Sequence, residues 1–149
     1  KACQNGKKAY TNLWPLFLLL CLDILTKYYF LDKNFSIIPG VLEISPAKNT
    51  GIAFGLFKGN IVFTIILPVL AILLLFYFFY KKKTTLASLG LVLTTSGLIG
   101  NLISRFVYGY VPDFITLPPL SFLFKIFNLA DFFSFIGIIL LVIYTAKER

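Results

Sequence analysis

The stretch IVFTIILPVLAILLLFYFFY, residues 61–80, contains no charged side chain, and Lys81, Lys82 and Lys83 follow it directly. A helix of about 20 apolar residues crosses the roughly 30 Å of hydrocarbon in a bilayer. This stretch therefore predicts a transmembrane helix that ends at a positively charged membrane surface.

Three further apolar segments have a comparable length, and each carries a few polar residues. They are residues 13–31, 86–106 and 120–145. Hydrophobic residues make up 58% of the 149-residue chain and charged residues 13%, against roughly 25% charged in a soluble domain. A soluble core of this size could not bury so much apolar surface, so we expect four transmembrane helices.

Three groups of closely spaced basic residues outside the spans indicate the orientation. The groups are Lys1, Lys7 and Lys8 before the first span, Lys81, Lys82 and Lys83 after the second, and Lys147 and Arg149 after the fourth. With four spans, all three groups lie on the same side of the membrane, and basic loops remain in the cytoplasm. We therefore expect both termini in the cytoplasm. The net charge of +8 then reflects topology rather than a nucleic-acid partner.

This topology divides the chain into a membrane domain, two cytoplasmic tails and two outer loops. The tails are residues 1–12 and 146–149, the domain is residues 13–145, and the outer loops are residues 32–60 and 107–119. The first outer loop contains Gly and Pro turn signals, and Val-Leu-Glu-Ile at 41–44 predicts a short strand. We expect an all-α membrane protein with four transmembrane helices and a small β-containing loop domain outside. Because the chain contains no Met, we also expect that its native start is missing or was removed.

Ionisable residues inside a membrane are costly, and they usually face the bundle interior or water. Here the polar residues gather in the middle and outer half of the predicted bundle. They are Asp23 and Lys27 in the first span, Asn101 and Arg105 in the third, Asp113 in the second outer loop, and Asn128 and Asp131 in the fourth span. Their confinement indicates a polar site that opens to the outer face.

Asp113 and Asp131 are the natural pair for chemistry at such a site. Two carboxylates held close together cannot both ionise cheaply, so they share one proton. The ionised carboxylate can take a proton from water while the protonated one polarises a carbonyl, which hydrolyses a peptide without Ser, Cys, His or metal. The chain contains no His, which excludes a histidine base, and we expect no metal and no cofactor. That the two aspartates meet in space is a hypothesis at this point.

Simpler interpretations of the same residues remain open. Asp23 and Lys27, at i and i+4, fit a structural ion pair. Asp113, next to Pro112, fits a turn residue, and Arg105 fits a side chain that snorkels to the lipid headgroups. At the level of function, the alternatives are a small transporter or proton pathway that uses the intramembrane carboxylates, and a noncatalytic scaffold. A transporter is disfavoured because its polar residues would continue to the inner face.

Four runs of the sequence, in chain order, resemble the lipoprotein signal peptidases, also called signal peptidase II. The first two are Asp-Ile-Leu-Thr-Lys at 23–27 and Asn-Thr-Gly-Ile-Ala-Phe-Gly at 49–55. The third is Gly-Asn-Leu-Ile-Ser-Arg at 100–105, followed by Gly-Tyr-Val-Pro-Asp-Phe-Ile at 109–115, and the fourth is Phe-Asn-Leu-Ala-Asp at 127–131. The resemblance extends over about residues 13–144.

The resemblance implies an aspartic endopeptidase of the bacterial cytoplasmic membrane. Such an enzyme removes the signal peptide of a prolipoprotein just before a cysteine that carries diacylglycerol. The resemblance implies that Asp113 and Asp131 are catalytic and that Asn128 orients Asp131. It implies that Asn101 and Arg105 hold the substrate, and that an outer loop with Asn49, Gly51 and Phe54 closes over it. Asp23 and Lys27 would support the loop and the site. The implied partners are the diacylglyceryl prolipoprotein and the lipid bilayer, with the enzyme acting as a monomer.

The sequence departs from the family pattern at four positions. Ser104 stands where the family usually has Asp, next to the implied substrate-holding Arg105. Ile24 and Ile52 replace a usual Gln and a usual Ala, and Pro112 replaces a usual Val before the implied catalytic Asp. None of these changes removes either aspartate, so we expect an active but divergent member.

Overall fold

The computed structural model describes residues 12–52, 56–82, 84–122 and 126–148, which form four long helices and a small sheet. The helices are α1 (Trp14–Phe30), α2 (Leu67–Phe79), α3 (Thr85–Tyr108) and α4 (Leu129–Lys147), and a π-helical segment, Val62–Ile66, leads directly into α2. The strands are β1 (Phe35–Ile38), β2 (Leu42–Asn49) and β3 (Val111–Thr116).

In the part of the chain that the structure describes, three helical segments are long and apolar enough to cross a membrane. They are Val62–Phe79, Thr85–Tyr108 and Leu129–Lys147. The shorter helix α1, with 17 residues, is not among these three segments. The count of four transmembrane helices therefore stays a prediction.

The predicted start of the fourth span, at residue 120, differs from the start of α4 at Leu129. Asn128 is extended, with φ −132° and ψ 179°, and it caps the helix. Residues 118–120 form a separate 3-10 turn, and the backbone of Phe127 pairs with that of Ile115. The predicted start at residue 120 is thus too early, because residue 120 lies in the 3-10 turn and the backbone of Phe127 pairs with β3 before α4 begins.

The predicted strand at residues 41–44 is confirmed, because it overlaps β2. The sheet is larger than expected, however, and has the antiparallel order β1-β2-β3. The expected β structure between the helices is thus present as a three-stranded sheet, and the all-α description of the protein is not confirmed. Ala47 of β2 pairs with Asp113 of β3, so the sheet joins the two segments that the sequence analysis treated as separate outer loops.

Close packing of α3 against α4 depends on glycines. A Cβ at Gly97 would overlap the carbonyl oxygen of Ala130 and the hydroxyl of Ser134. At Gly90, a Cβ would lie 2.8 Å from the Leu141 side chain. Small residues allow two helix backbones to approach closely where no aqueous hydrophobic effect drives them together. The contact fixes the first turn of α4 against the middle of α3.

Gly97→Ala is expected to lower the free energy of unfolding by about 1–3 kcal/mol through overpacking, which outweighs the gain of about 1 kcal/mol in helix propensity. Thermal unfolding in detergent measures the effect. Leu89→Ala is the control, because Leu89 is exposed on the same helix. A Gly97→Ala variant as stable as the parent protein would contradict the close contact.

Candidate active site

Asp113 lies in the middle of β3 and is only 3% exposed. Its Oδ2 accepts a hydrogen bond from Asn49 Nδ2 at 2.9 Å, and its Oδ1 accepts one from Asn128 Nδ2 at 2.6 Å. Asn49 is at the end of β2, and the antiparallel register with β3 brings its side chain to Asp113. Asp113 is therefore a strand residue with two amide donors, and the alternative of a turn residue does not describe it.

Asp131 is the third residue of α4 and is partly exposed. Its Oδ1 accepts a hydrogen bond from Asn101 Nδ2 at 2.8 Å, and its Oδ2 accepts one from the backbone N–H of Asn128 at 3.1 Å. The second bond is half of a capping box, because Asn128 Oδ1 accepts from the backbone N–H of Asp131 at 3.1 Å. A capping box fixes the side chains at both of its positions.

Asn128 connects the two aspartates. Its amide nitrogen donates to Asp113 while its amide oxygen and backbone hold Asp131. The same nitrogen lies 3.3 Å from Asn101 Oδ1. Because Asn128 is completely buried, these bonds compete with no solvent. The structure thus brings both carboxyl groups against one buried residue, Asn128, through its side-chain amide for Asp113 and its backbone N–H for Asp131.

The pKa of Asp113 is raised from 3.8 to about 7. Burial is the main cause, and the negative charge of Asp131 raises it further. Hydrogen bonds from Asn49 and Asn128 and the positive charge of Lys27 act in the opposite direction but are weaker. Near neutral pH, Asp113 therefore holds its proton about half of the time, as expected for a carboxyl that can donate a hydrogen bond.

Asp23 and Lys27 of α1 lie directly behind Asp131 and Asn101. Their side chains form an ion pair at 2.8 Å and are 1% exposed. Lys27 Nζ also donates to Asn101 Oδ1 at 2.8 Å, and Asp23 Oδ1 accepts from the backbone N–H of Ala130 at 3.0 Å. The predicted ion pair is present, and it reaches both α3 and α4.

Arg105 holds the segment that follows β2 and does not extend away to lipid headgroups. Its Nη2 donates to the carbonyl oxygen of Gly51 at 2.8 Å, and its Nη1 donates to that of Asn101 at 3.3 Å. Asn49 Oδ1 accepts from the backbone N–H of Gly51 at 3.0 Å. Arg105 Nε is buried, and no acceptor for it lies among the described residues. Phe54, the remaining predicted loop residue, lies outside the described residues.

A model of the family described as signal peptidase (SPase) II matches residues 16–147 of the chain. The chain belongs to this family. It is 37% identical to the lipoprotein signal peptidase of Caldicellulosiruptor bescii over 131 residues, which cover 85% of each chain. The identity to the lipoprotein signal peptidase of Clostridium tetani is 36%, over 87% of this chain and 88% of that protein.

Two solved structures also resemble this signal peptidase II chain, and both carry titles that describe a bacterial membrane enzyme. One has a TM-score of 0.80 at 30% identity and covers 89% of this chain and 85% of its own. The other has a TM-score of 0.77 at 30% identity, with coverage of 90% and 91%. This member of the signal peptidase II family therefore shares its fold with known membrane enzymes.

The departure at Ser104 leaves the contacts of Arg105 in place. Ser104 is 2% exposed, and its hydroxyl donates to the carbonyl oxygen of Gly100 at 2.9 Å within α3. It lies on a different side of the helix from Arg105, whose guanidinium is held by Gly51 and Asn101. A serine at this position of the peptidase therefore satisfies its own hydrogen bond without holding Arg105.

Two contributors to the site were missed in the sequence. The backbone N–H of Ala130 binds Asp23, and Gly100 leaves the space for the Asp23 carboxylate, which an added Cβ would overlap. Gly100 could have been suspected, because a glycine inside a helix weakens the helix and therefore calls for a packing reason. The Ala130 amide could not, since backbone donors carry no sequence signal. Among the described residues, no three His, Cys, Asp or Glu side chains lie together as a metal site would require.

Proposed function

We propose that this chain is a membrane aspartic endopeptidase that removes signal peptides from diacylglyceryl-modified prolipoproteins, cutting just before the lipidated cysteine. Relatives that are named lipoprotein signal peptidases support the substrate. The observation that carries the aspartic chemistry is the buried Asn128, whose side chain contacts Asp113 and caps the helix turn of Asp131.

The two aspartates have different roles in this proposal. Asp131 lies in the first turn of α4, where the helix dipole stabilises negative charge, and its partial exposure gives water access to it. Asp131 takes a proton from a water molecule, which attacks the scissile carbonyl carbon. Asp113, which holds the shared proton, donates it to the carbonyl oxygen as the tetrahedral intermediate forms. Breakdown of the intermediate moves one proton to the leaving amine and leaves a single proton on the pair.

Three groups next to the pair are suited to holding the peptide. No described residue accepts a hydrogen bond from the buried Arg105 Nε, and a substrate carbonyl would remove the penalty of leaving it unpaired. Asn101 lies between Arg105 and Asp131. The carbonyl oxygen of Gly51 accepts a hydrogen bond from Arg105. In this proposal, the segment that contains Asn49, Gly51 and Phe54 therefore lies over the bound peptide.

The proposed location is the bacterial cytoplasmic membrane, with four spans, both termini inside and the site near the outer face. The enzyme acts there as a monomer. Exposed apolar side chains support α1 as the fourth span, because Trp14 is 65% and Phe17 72% exposed. Contiguous apolar surface of this kind requires a lipid or protein environment.

Hydroxyl groups deeper in α3 argue against a proton or solute pathway. Thr94, Thr95 and Ser96 donate to carbonyl oxygens of their own helix at 2.8, 2.6 and 2.9 Å. Their hydrogens are therefore used locally and do not form a relay. Proteoliposomes would test this alternative, and a solute or proton flux that is lost in Asp131→Asn would contradict the peptidase.

The proposed function is tested with the purified protein in detergent and a diacylglyceryl prolipoprotein. Mass spectrometry is expected to find a single cut that leaves the lipidated cysteine as the new N-terminus. The same precursor without the lipid is expected to be cleaved at least about tenfold more slowly, since the diacylglyceryl group fixes the cleavage site at the membrane surface. Equal rates on the two precursors would contradict the role of the lipid, and no cleavage of either would contradict the function.

The pH dependence of kcat/KM follows from the shared proton. The active pair contains one proton, and Asp113 loses its proton with a pKa of about 7. The rate is therefore expected to fall as pH rises through about 7, approaching a tenfold loss per pH unit at higher pH. A constant kcat/KM between about pH 6 and 9 would contradict the shared proton.

A further inference from the structure

Strand β1 and the turn after it form an apolar surface, residues 35–41, that stays exposed in the described part of the protein. All four residues of β1 are exposed, and so are the three residues of the turn. Successive side chains of a strand point to opposite faces, so both faces of β1 lack cover. Ile37 is 52% and Ile38 51% exposed, and no charged residue lies between Lys33 and Glu43. Contiguous apolar patches of this kind mark interaction surfaces.

β1 is also the outer strand of its sheet. In the order β1-β2-β3, its partner among the described strands is β2. Its register shifts between Ser36 and Ile38, and Pro39 follows its last residue. Bulges and prolines of this kind hinder the addition of a further strand. The apolar side chains of β1 therefore need a cover that does not depend on backbone pairing.

The sheet lies at the ends of two helices that are long and apolar enough to cross a membrane. α3 ends at Tyr108 and β3 begins at Val111, and these three residue steps span at most roughly 11 Å. Phe127, whose backbone pairs with that of Ile115, comes two residues before α4 begins. The sheet is therefore close to the membrane surface at which α3 ends and α4 begins.

The surface of β1 continues from the exposed side of α1. Phe30, the last residue of α1, contacts Phe35 with ring centroids 6.3 Å apart. Tyr28 and Tyr29 are exposed near the same end of the helix, and Lys33 Nζ lies 3.0 Å from the centroid of the Tyr29 ring. Tyrosines and a nearby lysine are typical of the level of the lipid headgroups. β1 thus begins where the headgroups are expected.

We propose that residues 35–41 insert into the outer leaflet of the membrane, at the boundary between headgroups and acyl chains. The partner is the lipid surface itself, because lipid covers apolar side chains without pairing with the strand. The backbone groups on the free edge of β1 would lose their water in hydrocarbon, so the insertion stops roughly 5–10 Å deep, as for other interfacial elements. This inference rests on the proposed location, in which the sheet lies on the outer side.

Insertion of β1 has a consequence for the active site. β1 pairs with β2, and Asn49 at the end of β2 donates to Asp113 in β3. A fixed depth of β1 therefore fixes the height of Asp113 above the bilayer. In the proposed function, the diacylglyceryl group fixes the height of the scissile bond in the same way, so both partners are aligned before they meet.

A single tryptophan in β1 reports its depth. The chain contains one Trp, at position 14, so Trp14→Phe/Ile37→Trp carries one probe. In liposomes, we expect lipids brominated near the start of the acyl chain to quench its fluorescence at least about twofold more than lipids brominated near the chain end. The control is Trp14→Phe/Lys48→Trp, because Lys48 is an exposed, charged residue of β2. Its probe is expected to be quenched less than about half as much by either lipid.

Iodide in the water distinguishes the other possible surroundings of β1. A probe at position 37 that iodide quenches and brominated lipids do not would show that the strand lies in water. A probe that neither quencher reaches would show that a second copy or another protein covers the strand. Either result would overturn the insertion.

Ile37→Lys/Ile38→Lys tests the depth-setting role. Two charges at the boundary are expected to lift β1 out of the lipid. For a lipidated precursor in liposomes, we expect kcat/KM about tenfold below the parent value, because small misplacements of reacting groups are costly. In detergent, where a micelle adapts to the protein, the same variant is expected to stay within about threefold of the parent. An equal effect in liposomes and detergent would overturn the depth-setting role.

The measurements separate this inference from the proposed function. Quenching needs no substrate, so a parent protein that cleaves no prolipoprotein would contradict the function while quenching still decides the insertion. Normal cleavage by a parent protein whose position-37 probe is quenched only by iodide would overturn the insertion and leave the function standing. Quenching by shallow bromines, together with a loss of turnover that is confined to liposomes in Ile37→Lys/Ile38→Lys, is the expected result.

Discussion

Asp113→Asn and Asp131→Asn are each expected to lower kcat by about 10⁴-fold, near the upper limit of what a positioned acid or base contributes. Asn has the shape of Asp but can neither take a proton from water nor donate a carboxyl proton. At position 131, an amide oxygen still accepts from Asn101, while the amide nitrogen faces the backbone N–H of Asn128. The stability cost of that mismatch is about 1–3 kcal/mol.

The controls for the two variants test both folding and charge. Thermal unfolding in detergent shows whether each variant keeps its fold at the assay temperature. Asp32→Asn makes the same chemical change at an exposed acid and is expected to leave kcat within about twofold. Turnover within about tenfold of the parent in either Asp113→Asn or Asp131→Asn would contradict the assigned pair.

Asn128→Asp is expected to have the second largest effect, a loss of at least about 100-fold in kcat near neutral pH. Asp is as good as Asn at a helix N-cap, so α4 keeps its cap. The new carboxylate replaces the amide donor that binds Asp113 Oδ1 at 2.6 Å, and it adds a third negative charge beside Asp113 and Asp131. Like charges in one site raise the pKa of the carboxyls.

Acidification distinguishes this effect from simple damage to the fold. When the new carboxyl group of the Asn128→Asp variant is protonated, it can again donate to Asp113, so activity is expected to recover partly as the pH falls. Asn128→Ser is the matched control, because Ser also caps the helix but is too short to bridge to Asp113. It is expected to lose activity without recovery at low pH. A pH profile of Asn128→Asp that is parallel to that of Asn128→Ser would contradict the donor role.

The sequence predicted the helices and the identity of the polar cluster, because both depend on local patterns. The i, i+4 spacing of Asp23 and Lys27 is a local feature, and the ion pair follows from it. The start of α4 was misplaced because the run from residue 120 to Phe127 is mostly apolar, with Lys125 as its one charged residue. The backbone of Phe127 forms a long-range pair with Ile115 of β3, and hydropathy does not encode such a pairing.

The connections within the site were less predictable than its members. Asp113 was a plausible turn residue because Pro112 precedes it, and Pro is uncommon within strands. Only the register of β2 on β3 shows that Asn49 reaches Asp113. The bridge through Asn128 requires that β3 and the start of α4 lie side by side, which depends on tertiary packing. Spacing in the chain gives the i, i+3 pair of Asn128 and Asp131 but not its contact with Asp113.

The most direct test of the central claim, that Asp113 and Asp131 share the hydrolytic step, is a structure of the protein with a lipidated peptide whose scissile amide is replaced by a ketone. A ketone of this kind binds an aspartic peptidase as its hydrate, which mimics the tetrahedral intermediate. We predict that the two hydrate oxygens lie within about 2.5–3.0 Å of carboxyl oxygens of both aspartates. A hydrate, or an intact ketone, that contacts neither carboxyl group would contradict the account.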